Sequence, residues 1–539
     1  MKAHLMYPDR DFDPARLLVR RDRELRYRRD TTDQTLSLKQ VLPWNEQALR
    51  QDLGLDILFN EMCRGDTFLL EAAMSVLLAS LTDPDVIRYR QHILDDAIKN
   101  EVIVRDIYQI GIDAIEGERK NYWSTLARYP AGTLHRAVEV VQMFVGCLKR
   151  LRRIADKYAD GFASEGFSTL FSMLRRELDD EYFAEIEEHL GRLKFGQGTL
   201  ISAQLGKGNK GWNYVLRRPH VDQRNWLARL LSEQQPGFTF SLHPRDDNGA
   251  RALSELNDRG VNLVGNALAQ SADHILSFFQ MLRTELAFYI GCLNLREALN
   301  DIGEPVCMPS PTSAGRRNLS FSGLYDPSLA LSMKRKVVAN DLDLKQTDIF
   351  IITGANSGGK STFLRSIGIA QLMMQAGMFV PAESFSAEIC EGLFTHYKRE
   401  EDTGMESGKW DEELGRMSEL VDRIGSNSLL LFNESFASTN EREGSEIASQ
   451  VVRALLDSGV KVFFVTHLYH FAHSIFVRWP HRATFLRAER RVDGTRPFKL
   501  IEAAPLQTSY GEDLYKSVFS AAQHNEPGSV DAKEMARAQ

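Results

Sequence analysis

The chain of 539 residues is 43% hydrophobic and 26% charged, with a formal net charge of -7. Such a length implies roughly two to four domains. The apolar content excludes a wholly disordered or fibrous chain, and the acidic balance excludes a surface basic all over, so any DNA contact must be local.

The first 50 residues read as an N-terminal arm. Seven arginines between Arg16 and Arg29 make it either a solvated lead-in helix or a DNA-facing segment. Residues 51–308 read as a mainly helical core and lever domain, because apolar residues recur at steps of three and four, as in Phe68, Leu69, Ala72, Ala73, Val76 and Leu77. Within that domain Phe183-Ala184-Glu185 has the form of a Phe-x-Glu base wedge, but in its acidic helical stretch it reads as helix surface. Around 194–226 the pattern changes to glycine-punctuated β-prone runs, which predicts a hairpin. Its Lys207, Lys210, Arg217 and Arg218 alternate with Trp212, Tyr214 and Trp226. Cations interleaved with rings suit a nucleic-acid backbone and its bases, while a basic surface hairpin with its rings packed inward is the plainer alternative.

Helical periodicity resumes over 252–299 and predicts one long lever. Pro305, Pro309, Ser310, Pro311 and Gly315 then read as a linker and domain boundary. Residues 318–522 alternate short apolar β-runs (349–352, 428–432, 460–465, 498–501) with helical stretches, the mark of an α/β domain. Residues 523–539 read as a flexible tail. Cys63, Cys147, Cys292, Cys307 and Cys390 are far apart and form no CxxC pair, as expected of reduced thiols. No apolar run reaches the roughly 20 residues of a bilayer span and no secretory signal opens the chain, so a cytoplasmic protein without a membrane partner is expected.

The strongest chemical signal is Gly354-Ala355-Asn356-Ser357-Gly358-Gly359-Lys360-Ser361-Thr362, which lies between an apolar run and a helical one and fits GxxxxGK[ST]. Glycines let successive N–H groups and a helix N-terminus surround phosphate oxygens. Lys360 would reach the β- and γ-phosphates of ATP, and the Ser361 hydroxyl would ligate Mg²⁺. A second strand ends in Asn433-Glu434, where a Walker-B element usually carries Asp and Glu. Asn433 would serve the metal shell without a charge, and Glu434 would orient or activate water. A third strand delivers His467, a candidate γ-phosphate sensor, while His470 and His473 read as helix surface.

From Ile352 to Ser361 and on through Gly377-Met378-Phe379-Val380-Pro381-Ala382, the sequence resembles the ATPase domain of MutS DNA mismatch-repair proteins. Val338 to Asp341, Asn433-Glu434 followed by Ala437-Ser438-Thr439, and Thr466-His467 fall in the family's order. Leu81 to Pro84 and Arg88 to Arg90 resemble the start of the family's helical core. The resemblance implies a multidomain chain, a mainly α-helical core and lever region followed by an α/β P-loop ATPase of the ABC type. It also implies a homodimer in which each ATPase completes its partner's site through a serine-bearing segment, here Ser407. Tyr325, in Tyr325-Asp326-Pro327, is the nearest match to the family's adenine-stacking residue. No space for a mismatch-reading domain precedes the core and no nuclease tail follows the ATPase, so direct mismatch recognition is not expected. The implied function is an ATP-dependent DNA-binding machine whose dimeric clamp is gated by ATP and Mg²⁺. The alternative is a nucleotide-gated scaffold that acts on a protein partner instead of DNA.

Overall fold

A computed structural model describes residues 1–12, 42–122, 130–195, 198–217, 241–243, 245–313, 318–345, 347–399, 408–479, 482–491 and 493–506. In chain order its helices begin with α1 (Glu46–Leu53), α2 (Leu55–Cys63), α3 (Thr67–Leu77) and α4 (Pro84–Lys99). They continue with α5 (Glu101–Tyr122), α6 (Pro130–Tyr158), α7 (Glu165–Glu177) and α8 (Asp180–Leu193). Strands β1 (Ile201–Leu205) and β2 (Gly211–Leu216) precede α9 (Asp247–Asp301). The ends of these helices are chemically marked. Asp66 caps α3 by accepting from the Phe68 and Leu69 amides, Pro84 opens α4, and Asp179 caps α8 at Tyr182.

Two compact units divide the chain. One comprises Met1–Asp13 and Asp96–Leu286, the other Pro14–Asp95 and Ala287–Gln539. The division falls inside α4 and α9, not at the proline-rich segment expected to separate domains.

In the first unit α6 packs along α5, α7 and α8. Its core includes a cluster in which the Phe162 ring lies 4.7 Å from Phe167 and 4.9 Å from Phe171. Residues 1–12, expected as part of a solvated arm, are instead fastened here. Ala3, Leu5 and Met6 are fully buried, and the buried Glu285 carboxylate accepts the amides of Leu5 (2.8 Å), Met6 (2.7 Å) and Phe12 (2.7 Å). Apolar anchors and three charge-assisted hydrogen bonds outweigh the entropy that would leave a terminus loose. Arg16 to Arg29 lie outside the described residues. Strands β1 and β2 pair antiparallel, and the Arg259 guanidinium of α9 stands over the Tyr214 ring at 5.7 Å. Helix α9 runs for 55 residues, about 80 Å at 1.5 Å per residue. Phe183 is buried in α8, so the Phe-Ala-Glu triplet is not simply helix surface.

The second unit is built on two sheets. Its remaining elements are β3 (Ser310–Thr312), β4 (Asn318–Leu324), α10 (Pro327–Met333), β5 (Asn340–Lys345), β6 (Ile349–Gly354), α11 (Lys360–Ala376), β7 (Ser384–Glu388) and β8 (Leu393–Tyr397). After them come α12 (Lys409–Val421), β9 (Leu429–Asn433), α13 (Glu441–Asp457), β10 (Lys461–Val465), α14 (Tyr469–Arg478), β11 (Ala483–Ala488) and β12 (Leu500–Glu502). Six strands form a sheet in the order β12-β11-β6-β10-β9-β8, parallel except for β12. Its central strands are continuous apolar runs because both faces are covered, and Phe350 stacks on Phe463 at 4.0 Å.

The second sheet, in the order β3-β7-β4-β5, absorbs the supposed linker. Strand β3 pairs in parallel with β7, and the Ile389 amide donates to the Thr312 carbonyl at 3.0 Å. Pro311 lacks an N–H, which an edge strand tolerates. Helices α1 and α3 pack on α11, which is buried along most of its length. Gly368 of α11 makes that closeness possible: a Cβ there would sit 2.8 Å from atoms of both Leu53 and Leu431. Helices α1 to α3 therefore belong with the α/β unit rather than with the helical domain predicted for 51–308. All five cysteines are free thiols. No helix among the described residues is long and apolar enough to cross a membrane.

Candidate nucleotide site

Strands β6, β9 and β10 run parallel, so the residues that leave their carboxyl ends gather along one edge of the sheet. There the chain from Gly354 to Gly359 curls between β6 and α11. Gly354 and Gly359 have φ of 111° and 89°, and Ser357 holds the left-handed region at 55°. A side chain on Gly354 would bring its Cβ to 2.9 Å from the Ala488 backbone nitrogen, so the turn requires glycine. Asn356 and Ser357 are exposed, Ala355 and Gly358 are buried, and Gly359 and Thr362 are half-buried.

Lys360, the first residue of α11, folds back over this loop. Its Nζ donates to the carbonyls of Gly354 (3.1 Å) and Ala355 (3.0 Å), and the residue is only 5% exposed. Burial pushes the ammonium down to about 8, with Glu434 opposing that shift and Arg496 adding to it. The next residue, Ser361, donates its hydroxyl to Asn433 Oδ1 at 3.0 Å. This oxygen pair, alcohol and amide, suits a hard cation such as Mg²⁺ that retains part of its water shell.

Glu434 turns out of β9 with φ 55°, while its amide still donates to the Val465 carbonyl at 2.9 Å. Its Oε1 lies 3.0 Å from His467 Nε2. That hydrogen bond, with the charges of His467, Lys360 and Lys398, holds the carboxyl below its ordinary range despite burial, so it is ionised at neutral pH. The structure thus brings Gly354 to Thr362, Asn433, Glu434 and His467 to one sheet edge.

Other predicted site residues lie elsewhere. Tyr325 is 1% exposed, with its ring inside the unit and no open face for a base. Its neighbour Asp326 caps α10 and is paired with Arg365 of α11. Ser407 lies outside the described residues. Lys207, Lys210 and Arg217 are exposed on the β1–β2 hairpin, and Arg217 Nε donates to Ser202 Oγ at 2.9 Å. Arg218 and Trp226 are outside the described residues. Trp212 faces outward at 56% exposure, contrary to the inward-packed alternative. His473 stacks on Tyr469, and no group of three or more metal-ligating side chains occurs among the described residues.

Sequence reasoning missed the segment that returns beside the loop from β11. The Arg496 guanidinium donates to the Asn356 carbonyl, and Phe498, at φ 59°, lies against Gly359. Both are about 140 residues downstream of the loop in a stretch without a motif, and only Arg-Pro-Phe after a Gly-Thr turn marks them. Sequence reasoning also passed over the buried trio His396, Glu413 and Ser435 behind Glu434.

Two family models match this chain: the MutS2 N-terminal domain over residues 82–302 and MutS domain V over residues 350–519. The DNA mismatch repair protein MutS of Lactococcus lactis subsp. lactis (strain IL1403) is 28% identical over 358 residues, covering 62% of this chain and 42% of that protein. The MutS of Prochlorococcus marinus (strain MIT 9301) is 24% identical over 319 residues, covering 58% of this chain and 34% of its own length. The endonuclease MutS2 of Streptococcus equi subsp. zooepidemicus (strain H70) is 22% identical over 383 residues, 69% of this chain and 46% of that one. The chain spans less than half the length of each of these curated relatives.

Proposed function

This chain is a MutS-like family member, and from that premise we propose that it is an ATP-dependent DNA-binding protein in which ATP binding and hydrolysis gate a dimeric clamp. The observation that carries the reading is the meeting of Lys360, the Ser361–Asn433 pair and the Glu434–His467 pair at the carboxyl edge of one sheet. Lys360 supplies a buried cation for the β- and γ-phosphates, where the loop carbonyls it now holds are weaker partners than phosphate oxygens. Bound Mg²⁺ would neutralise charge on those phosphates, with Ser361 as its protein ligand and Asn433 in its shell. Glu434, ionised and oriented by His467, is placed to accept a proton from an attacking water or to align it. His467 senses the γ-phosphate through the same hydrogen bond, since its Nε2 can serve either the carboxylate or a phosphate oxygen. Ser407 is the proposed contribution of one subunit to the site of the other.

DNA contact is assigned to the exposed Lys207, Lys210 and Arg217 near Trp212 in the hairpin, together with Arg218. The net charge of -7 favours a second reading, a nucleotide-gated scaffold for a protein partner. ATPase rates with and without duplex, branched and single-stranded DNA separate the two. Stimulation that falls steeply with salt supports the clamp, and its absence with every DNA supports the scaffold. Within the site, Lys360→Ala should lose ATP binding, whereas Glu434→Gln should bind ATP and hydrolyse it slowly. Equal loss of binding in both would refute this division of labour.

A further inference from the structure

The proposed water-orienting residue stands on backbone that does not hold itself in place. Glu434 and Phe436 have φ of 55° and 62°, two left-handed residues around a fully buried Ser435. A left-handed phenylalanine is an outlier, and each such residue costs on the order of 1 kcal/mol unless its surroundings impose it. Two side chains impose it here. Glu413, in the second turn of α12, accepts the Phe436 amide on Oε1. His396, on β8, meets Ser435 Oγ at 2.8 Å through Nδ1, and its Nε2 lies 3.2 Å from the Glu413 carbonyl. The rings of His396 and Phe436 stack at 5.7 Å.

Glu413 is a poor choice for stability alone. It is 2% exposed, and its Oε2 has no hydrogen-bond partner among the described residues. A buried carboxylate with unmet acceptor capacity costs free energy that an apolar side chain in the same space would not. What it supplies in return is a fixed peptide plane two residues beyond Glu434, in addition to the backbone bond from Glu434 to Val465. We propose that Glu413, with His396 beside it, is a positioning residue that sets the direction of the Glu434 carboxylate toward His467 and the Ser361–Asn433 pair. Without it the turn relaxes toward ordinary φ values, and a displacement of about 1 Å at the carboxylate is enough to cost up to 100-fold in rate. This rests on Glu434 acting in hydrolysis, as proposed above.

The test uses the full chain with Glu413→Ala, Glu413→Gln and each of these combined with Glu434→Gln. With Mg²⁺-ATP, Glu413→Ala should lower kcat about 10- to 100-fold and leave ATP affinity within about threefold. Glu413→Gln, which keeps an acceptor for the Phe436 amide, should recover most of the rate. In the Glu434→Gln background Glu413→Ala should add no further loss, because the group it positions is already gone. Amide hydrogen exchange over 434–436 in nucleotide-free protein should speed up in Glu413→Ala and return toward normal in Glu413→Gln. A wild-type rate in Glu413→Ala, a loss of ATP affinity as large as the loss of rate, an additive loss in the double variant, or unchanged exchange would each overturn the proposal. A wild-type chain that hydrolyses no ATP would refute the catalytic reading of Glu434 and the positioning role with it, whereas the affinity of Lys360→Ala for ATP reports on nucleotide binding separately.

Discussion

Lys360→Met tests whether the loop stores free energy that a nucleotide releases. The methionine keeps a long unbranched stem and removes the charge. Burial brings the ammonium from 10.5 to about 8. That lowering corresponds to about 3 kcal/mol that the charged form costs the folded state at neutral pH. Against this stand the two bonds to the Gly354 and Ala355 carbonyls, together worth about 2 kcal/mol. The variant should therefore be more stable than wild type without nucleotide, by on the order of 1 kcal/mol at pH 7. The pH dependence has a definite sign. A lysine depressed in the folded state costs stability in full below its folded value, and the cost fades as pH rises from about 8 to 10.5, so the advantage of the variant should shrink over that window. Denaturant unfolding at several pH values measures this. With Mg²⁺-ATP the order should reverse, because ligand at 100 times its Kd adds about 2.7 kcal/mol to wild type and nothing to a variant that cannot bind. A variant less stable than wild type without nucleotide at pH 7, or an advantage that grows between pH 8 and 10.5, would refute the stored-energy argument.

Three further outcomes are expected. Asn433→Asp should lower the magnesium concentration needed for half-maximal hydrolysis, because a carboxylate beside Ser361 adds charge to the metal shell; an unchanged or higher requirement in a magnesium titration would count against it. Burial foremost, and Arg416 next, push His396 down to about 4 from 6.5, so stability should fall by on the order of 3 kcal/mol as pH drops through that interval. A His396→Gln variant should show a correspondingly flatter unfolding free energy between pH 6.5 and 4. Replacing Lys207, Lys210, Arg217 and Arg218 by Gln should weaken DNA binding and flatten its salt dependence while basal ATP hydrolysis survives, as titrations at several salt concentrations would register.

What the sequence disclosed follows from how locally each feature is encoded. The glycine loop is contiguous, and β6, β9 and β10 are uninterrupted apolar runs because the sheet is covered on both faces. The long α9 was legible from its period over many turns. The four-stranded sheet was not, since β3, β4 and β7 are short and rich in Ser, Thr and Pro, a composition that reads as loop until a partner strand supplies its hydrogen bonds. The N-terminal strip was misread for a similar reason: its anchor, Glu285, lies more than 270 residues away. Tyr325 shows the opposite case, a residue singled out by its neighbours in sequence whose ring the fold buries. Glu413 had no motif to announce it, because its work is done through one amide on another strand's turn.

The same locality bears on the proposed place of a neutral residue in the metal shell. Asn433 accepts the Ser361 hydroxyl through its amide oxygen, so the serine is oriented as a carboxylate would orient it. What the substitution removes is charge alone. Around the loop, the ionised Glu434 is then the carboxylate facing Lys360, Lys398 and His467, and Arg496 adds a further cation at Asn356. Such a balance favours an anionic ligand over a divalent cation when each comes alone. A carboxylate at Asn433 would tilt it the other way, holding metal before nucleotide arrives. The expected order of binding is therefore nucleotide first, with metal carried in by its phosphates, and calorimetric titration of Mg²⁺ into the protein should give no heat of binding until ATP is present.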